Sequence, residues 1–249
     1  MHEKNIIIKT KNGNLDCKIF INNKKLSPNI IFYMDAPAIR EELRDMCRKL
    51  CLGGYNVMLP NLFYRVGTEG NYPFNQADYK KSKEELKKMI FTMENTSNLM
   101  IVEDTRYIIN YIHNNFKNNK IGIVGYCMSG RFVVSVGAEY FNEIKAIASF
   151  YGVGIFTKEK DSPHLCAKKI TGEVYLAFAE KDIWVSKEEI KNIKNNFKDT
   201  NYVCNIEIYP GTDHGFAFPN RNTYKKKAAD KHWDKLFELF NRNLKNKKT

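Results

Sequence analysis

The segment Ile121-Gly122-Ile123-Val124-Gly125-Tyr126-Cys127-Met128-Ser129-Gly130-Arg131 changes character midway. Its first half is apolar and β-branched, the pattern of a strand covered on both faces. From Arg131 to Tyr140 the apolar residues take a helix period. Between the two, Gly-x-Cys-x-Ser-Gly compresses the change into a tight turn. A nucleophile held clear of a sheet sits on such a strained strand–turn–helix, most often as serine; here the tip is Cys127. Gly125, two residues earlier, stands where a side chain would meet the turning backbone. Ser129 and Gly130 follow where the helix must pass close to the strand. The helix N-terminus behind Cys127 offers its dipole and free N–H groups to negative charge, and the Met128 N–H is placed to donate to an oxyanion. A buried structural cysteine beside a glycine-rich turn gives the same short pattern. Ser129 is the alternative nucleophile, but it falls off the turn.

Outward from this segment, short apolar runs alternate with helical stretches. Strands are expected at Leu15–Ile21, Asn29–Met34, Asn56–Leu59, Lys120–Val124, Lys145–Phe150, Glu173–Ala179 and Tyr202–Tyr209. The spacing predicts helices over Ile39–Leu52, Asn98–Phe116, Arg131–Tyr140, Ser186–Phe197 and Thr223–Leu244. The alternation implies an α/β fold with a mostly parallel central sheet flanked by helices on both faces. The first two of these strands read as a hairpin joined near Asn22-Asn23. Residues 65–98 break the alternation: Gly67, Gly70 and Pro73 precede a lysine-rich helix around Gln76–Phe91. This part reads as an excursion and a candidate cap within one domain spanning residues 1–249.

A nucleophile at the end of a central strand needs a base and an acid, and in this kind of sheet they follow in the order nucleophile, acid, base. The strand Glu173–Ala179 is followed by Glu180-Lys181-Asp182, and the next strand by Pro210-Gly211-Thr212-Asp213-His214-Gly215-Phe216. Asp182 and His214 are the candidates. Asp213 and Glu180 are rival acids, His164 is a rival histidine, and Asp182 could instead cap the following helix.

The bulk properties bound the rest. The 249 residues carry 40 basic and 28 acidic side chains, a net charge of +12. The lysines are spread along the chain, and no basic–aromatic motif or helix-turn-helix accompanies them. They read as a solvated coat whose field favours anionic small molecules, with no nucleic-acid partner. The one apolar run near the start, Ile6-Ile7-Ile8, is too short for a signal-peptide core, and no segment has the apolar length of a membrane span. A cytoplasmic protein without membrane contact is expected. Its six cysteines are then free thiols. Cys47 and Cys51 lie four apart on a helix, where core packing competes with a metal or redox pair. No ligand set has metal-site spacing, so no metal or cofactor is expected.

Taken together, Gly125-Tyr126-Cys127-Met128-x-Gly130-Arg131, Asp182 after its strand and His214-Gly215-Phe216-Ala217 resemble the dienelactone hydrolase family of α/β-hydrolases. Met34-Asp35-Ala36, Leu62-Phe63-Tyr64-Arg65, Asp161-Ser162-Pro163-His164-Leu165 and the stretch from Thr223-Tyr224 to His232-Trp233 extend the resemblance over nearly the whole chain. It implies an α/β-hydrolase fold and hydrolysis of a small ester or lactone by acyl transfer. It implies a Cys127–His214–Asp182 triad and an oxyanion hole from the Met128 and Ala36 N–H groups. Asp35 stands where the family carries a carboxylate that contacts the resting thiol. Tyr64, Arg65, Arg131 and Tyr151 are further candidates for lining the site. Arg65, Arg131 and Arg221 are candidates for a substrate carboxylate. Asn61 stands where aspartate is frequent, and Ser129 where a second glycine is usual. The alternative is a non-catalytic small-molecule-binding protein on the same fold; a broken triad would mark it.

Overall fold

The computed structural model describes residues 1–245; the lysine-rich tail runs on outside them. One sheet of eight strands forms the centre: β1 (His2–Thr10), β2 (Gly13–Ile21), β3 (Asn29–Tyr33), β4 (Asn56–Pro60), β5 (Ile121–Tyr126), β6 (Ile144–Phe150), β7 (Glu173–Lys181) and β8 (Cys204–Asp213). Their spatial order is β1-β2-β4-β3-β5-β6-β7-β8. The pairings among β3 to β8 are parallel, and β2 runs antiparallel to both β1 and β4. The expected mostly parallel sheet is present.

The hairpin is a correction. β2 does not pair with β3; it pairs with β1, across a turn at Lys11-Asn12, and with β4. β1 was not expected, because its one apolar run is flanked by charged residues. As an outer strand it keeps most of its side chains exposed, so it lacks the apolar signature of the central strands.

The helices are α1 (Glu41–Leu52), α2 (Lys83–Glu94), α3 (Asn98–Asn115), α4 (Ser129–Glu139), α5 (Lys187–Asn196) and α6 (Lys226–Leu244). They cover both faces of the sheet, as β5 demonstrates. A Cβ on Gly122 would meet Leu244 and Phe240 of α6, whereas one on Gly125 would meet Val133 of α4. Positions three apart in a strand point to opposite faces, so α6 and α4 lie on opposite sides. Every residue of β3, β4 and β5 is buried, which explains the apolar runs that follow the leading Asn29 and Asn56 and fill β5.

The excursion also differs from expectation. Its helix begins at Lys83 and not near Gln76. Ser82 accepts the Glu85 N–H, an N-cap that sets the start. Residues 61–82 are turns, anchored where the Asn61 amide donates to Asp16 (3.0 Å) and to the Gly67 carbonyl (2.8 Å). Among the described residues no helix is long and apolar enough to cross a membrane.

Parallel strands all end on one side of a sheet, and ligands in such folds bind outside those carboxyl ends. The loops after β3, β5, β6, β7 and β8 carry Asp35-Ala36, Cys127, Tyr151, Asp182 and His214 to this one edge.

Candidate active site

Cys127 follows the last residue of β5 and has φ of 55°, the left-handed region that non-glycine residues rarely occupy. Its backbone is fixed on both sides: its N–H donates to the Phe150 carbonyl (3.2 Å), and its carbonyl accepts the N–H groups of Gly130 (3.0 Å) and Val153 (2.9 Å). Holding a cysteine in this conformation costs on the order of 1–3 kcal/mol, supplied by the surrounding packing. The small neighbours are required sterically. A Cβ on Gly125 would lie 2.5 Å from the Ser129 carbonyl oxygen, and one on Gly130 would lie 2.2 Å from the Gly152 Cα. Ser129 is fully buried, and its hydroxyl donates to the Met34 carbonyl at the end of β3. That bond draws the segment after β3 against the turn and commits the Ser129 hydroxyl to a backbone acceptor.

His214 and Asp182 come together from the ends of β8 and β7. The His214 Nδ1 lies 3.0 and 2.9 Å from the two Asp182 carboxylate oxygens. The Asp182 side chain is wholly buried and that of His214 is 9 % exposed. Asp182 also accepts the Trp184 N–H (2.8 Å), folding its loop into an Asx turn. The rivals are engaged elsewhere. Glu180 accepts the Gly211 N–H (2.9 Å). The His164 Nδ1 bonds Ser162 (2.7 Å), and its ring stacks on Phe156. The Asp213 carboxylate has no hydrogen bond to His214 among the described residues.

The imidazole is enclosed by aromatic rings, Tyr151 at 5.0 Å and Trp184 at 6.4 Å between centroids. Its Nε2 is buried and makes no well-formed hydrogen bond among the described residues. Burial works to lower the His214 pKa. Negative charge on nearby Cys127 and hydrogen bonding to Asp182 outweigh it and push the pKa up to about 9.

Asp35 is fully buried and held by two arginines. Arg40 Nη1 donates to Oδ1 (2.5 Å) and Arg40 Nη2 to Oδ2 (3.2 Å), while Arg221 Nη2 donates to Oδ2. Burial works to raise the Asp35 pKa, but the charges of Arg40 and Arg221 hold it below the ordinary value. Glu42 extends the chain of charges, pairing with Arg40 (2.7 Å) and accepting the Asn220 N–H (2.8 Å). This clasp joins the turn after β3 to the loop that carries His214. Asp35 has no hydrogen bond to Cys127 among the described residues; its partners are the guanidinium groups.

The remaining expected residues divide. Tyr151, with φ of 41°, is wholly buried against His214, and its hydroxyl has no partner among the described residues. Arg131 donates from Nη2 to the Met93 (3.0 Å) and Thr96 (2.7 Å) carbonyls, docking the end of α2. Tyr64 and Arg65 are not brought to the His214 cleft. Both bind Asp104 of α3, the Tyr64 hydroxyl at 2.8 Å and the Arg65 guanidinium at 2.7 and 2.8 Å. The resemblance suggests that both line the site; in the structure they are matched by a buried acid on α3 instead. Met128 and Ala36 are buried beside the turn, and neither N–H has an intramolecular acceptor among the described residues.

A cleft of about 360 Å³ opens beside His214, lined also by Tyr79, Lys80, Lys181, Ile183, Trp184 and Arg221. Tyr79 and Lys80 come from the excursion. Sequence reasoning missed them and Arg40, since neither region has a period or motif that announces a contact so distant in the chain. All six cysteines are free, and Cys17, Cys47 and Cys51 are buried in the core. Among the described residues no cluster of histidine, cysteine or acidic side chains is arranged to hold a metal.

Residues 16–244 match the family model of the dienelactone hydrolases. The chain belongs to the dienelactone hydrolase family. It is 29 % identical over 228 residues to a Synechocystis sp. protein provisionally named carboxymethylenebutenolidase, covering 88 % of this chain and 87 % of that one. An Escherichia coli protein with the same provisional name is 22 % identical over 217 residues, 86 % of this chain and 76 % of that one. In fold it is similar to a provisionally named dienelactone hydrolase from Klebsiella pneumoniae, with a TM-score of 0.83 at 20 % identity over 96 % of this chain and 98 % of that one. This dienelactone hydrolase family member is thus a hydrolase resembling dienelactone hydrolase, and Cys127, Asp182 and His214 all lie within the matched span.

Proposed function

We propose that this protein hydrolyses a small ester or lactone by acyl transfer through Cys127, with His214 as acid and base and Asp182 as the residue that orients it. The observation that carries the reading is the state of the imidazole. Its Nδ1 is tied to buried Asp182, while Nε2 is buried, without a well-formed hydrogen bond, and close enough to Cys127 for charge there to raise its pKa.

The Cys127 sulfur attacks the carbonyl carbon, and the carbonyl π pair moves to oxygen. The oxyanion lies against the N–H groups of Met128 and Ala36, whose freedom from other acceptors supports that role. The tetrahedral species collapses and the bond to the leaving oxygen breaks. Protonated His214 gives that oxygen its proton, leaving a thioester on Cys127. Water then gives a proton to neutral His214 and attacks the thioester; the carboxylic acid departs and the thiolate–imidazolium pair returns. No cofactor takes part.

Of the three arginines considered for a substrate carboxylate, Arg65 is engaged by Asp104 and Arg131 by the end of α2. Arg221 is paired with Asp35 through Nη2, but unlike the other two it lines the cleft, and its Nε has no partner among the described residues. We assign the substrate's acidic group to Arg221.

The test is a panel of p-nitrophenyl esters and enol lactones, run on the wild-type protein, on Cys127→Ala and after iodoacetamide. Turnover by the wild type alone is expected. Turnover retained by Cys127→Ala would remove the cysteine from the mechanism. A panel silent throughout, with ligands still bound, would favour the non-catalytic binding protein.

A further inference from the structure

The loop after β7 does two things at once. Asp182 turns inward to accept the N–H groups of Trp184 and the His214 ring. That fold-back thrusts the next residue outward, so Ile183 is 88 % exposed and Trp184 43 % exposed, while Val185 returns to the core. A single exposed apolar side chain is ordinary on a protein surface, but these two are adjacent and share one concave site. Neither is a stray surface residue. Both line the cleft that contains His214 and Arg221, with the Tyr79 ring, from the excursion, lining the same cleft. The apolar surface therefore shares its cleft with the imidazole proposed as acid and base.

We propose that this cleft is a substrate subsite that takes an apolar arm, aryl or alkyl, attached to the ester or lactone hydrolysed at Cys127. The inference rests on the hydrolase reading for the word substrate. The arm lies on Ile183, Trp184 and Tyr79, while the acidic group of the same molecule meets Arg221, which lines the same cleft. Exposed Lys80 and Lys181 line the same cleft with Arg221, against a single carboxylate, Asp213, so its charge is net positive. They repel a cationic arm and tolerate a neutral or anionic one. The chemical class is thus an amphipathic carboxylate with an apolar body larger than a short acyl group. Local geometry gives the loop its specificity role: one residue orients the histidine, and the next two grip the substrate.

The probe is 4-phenylbutyrate, which has the arm and the anion without a cleavable bond; acetate is the anion without the arm, and 4-phenylbutylamine the arm with the wrong charge. Affinities are measured calorimetrically on the wild type, and on Ile183→Ser and Trp184→Ala, whose side chains lie outside the core. Phenylbutyrate should bind at least about tenfold more tightly than acetate and than the amine, the gain expected from covering one ring. Each substitution should remove several-fold of that gain without changing the affinity for acetate. Equal binding of phenylbutyrate and acetate, or binding indifferent to both substitutions, would overturn the subsite. Because no bond is broken, the result is independent of turnover. Selective binding with a silent ester panel would leave the apolar subsite standing and sink the hydrolase reading, so the two can fail separately.

Discussion

Replacing Cys127 with alanine should change the titration of His214, and the structure gives the size of the change. The rise from the ordinary 6.5 to about 9 corresponds to on the order of 3 kcal/mol favouring the protonated ring. Burial opposes the rise and is the largest influence; Cys127 acts against it through charge and a weak hydrogen-bonding contact, and Asp182 through its hydrogen bond and charge. Alanine removes both Cys127 contributions and leaves Asp182 alone against the burial. The His214 pKa should therefore drop by at least about one unit, back toward the ordinary value. The assay is a pH titration of the imidazole ¹⁵N resonances in wild-type and Cys127→Ala protein, with His214→Gln used for assignment. A pKa that stays near 9 in Cys127→Ala would show that the thiol does not act on His214, and the argument for the pair would fail.

Three other outcomes follow from the geometry. Asp182→Asn should cost far more in kcat than Asp213→Asn, up to about 10⁴-fold as for the orienting acid of a serine protease; steady-state kinetics on the best ester decide it, and the reverse ranking would move the acid to Asp213. His232 is wholly buried, bonded through Nε2 to the Tyr126 hydroxyl, and burial holds its pKa down at about 3. Above pH 6.5 its ring is neutral folded or unfolded and pH has no effect through it. As pH falls from 6.5 toward 3 only the unfolded chain takes the proton, so stability drops by about 1.4 kcal/mol per pH unit, or about 2 kcal/mol by pH 5. Urea midpoints of His232→Gln should fall less steeply over that range than those of the wild type, and parallel slopes would refute the assignment. Asp35→Asn should destabilise the fold by about 3 kcal/mol, because Arg221 is left as a largely buried charge without its carboxylate while Arg40 keeps only Glu42; an unchanged urea midpoint would show that the clasp is not structural.

The central strands were legible in the sequence because burial on both faces leaves nothing to alternate: after a leading asparagine in β3 and β4, these strands and β5 are apolar runs. The turn at Cys127 was legible because only small residues fit it, and the distances from Gly125 and Gly130 to their neighbours bear that out. The order of Asp182 and His214 along the chain followed from the strand sequence alone. What could not be read was who pairs with whom over long separations. β2 neighbours β4 and not β3, and nothing local to either strand says so. The Asp35–Arg221 pair joins residues 186 apart, and Arg40 enters it through a turn without a motif. Tyr64 and Arg65 were misplaced for the same reason, since their partner Asp104 sits on a helix that gives no sign of a buried acid. Ser82 is the contrary case: an N-cap serine with glutamate three residues on was present to be read, and it places the start of α2.

The most direct test of the account is to look for the acyl-enzyme. The protein is mixed with p-nitrophenyl acetate, quenched in acid within the first turnovers, and analysed as intact protein and as peptides by mass spectrometry. The account predicts a single acetyl group per chain, carried by the peptide containing Cys127, that is lost on standing at neutral pH and does not form in Cys127→Ala. Turnover without any label on Cys127, or a transient label that maps to a different residue, would contradict it.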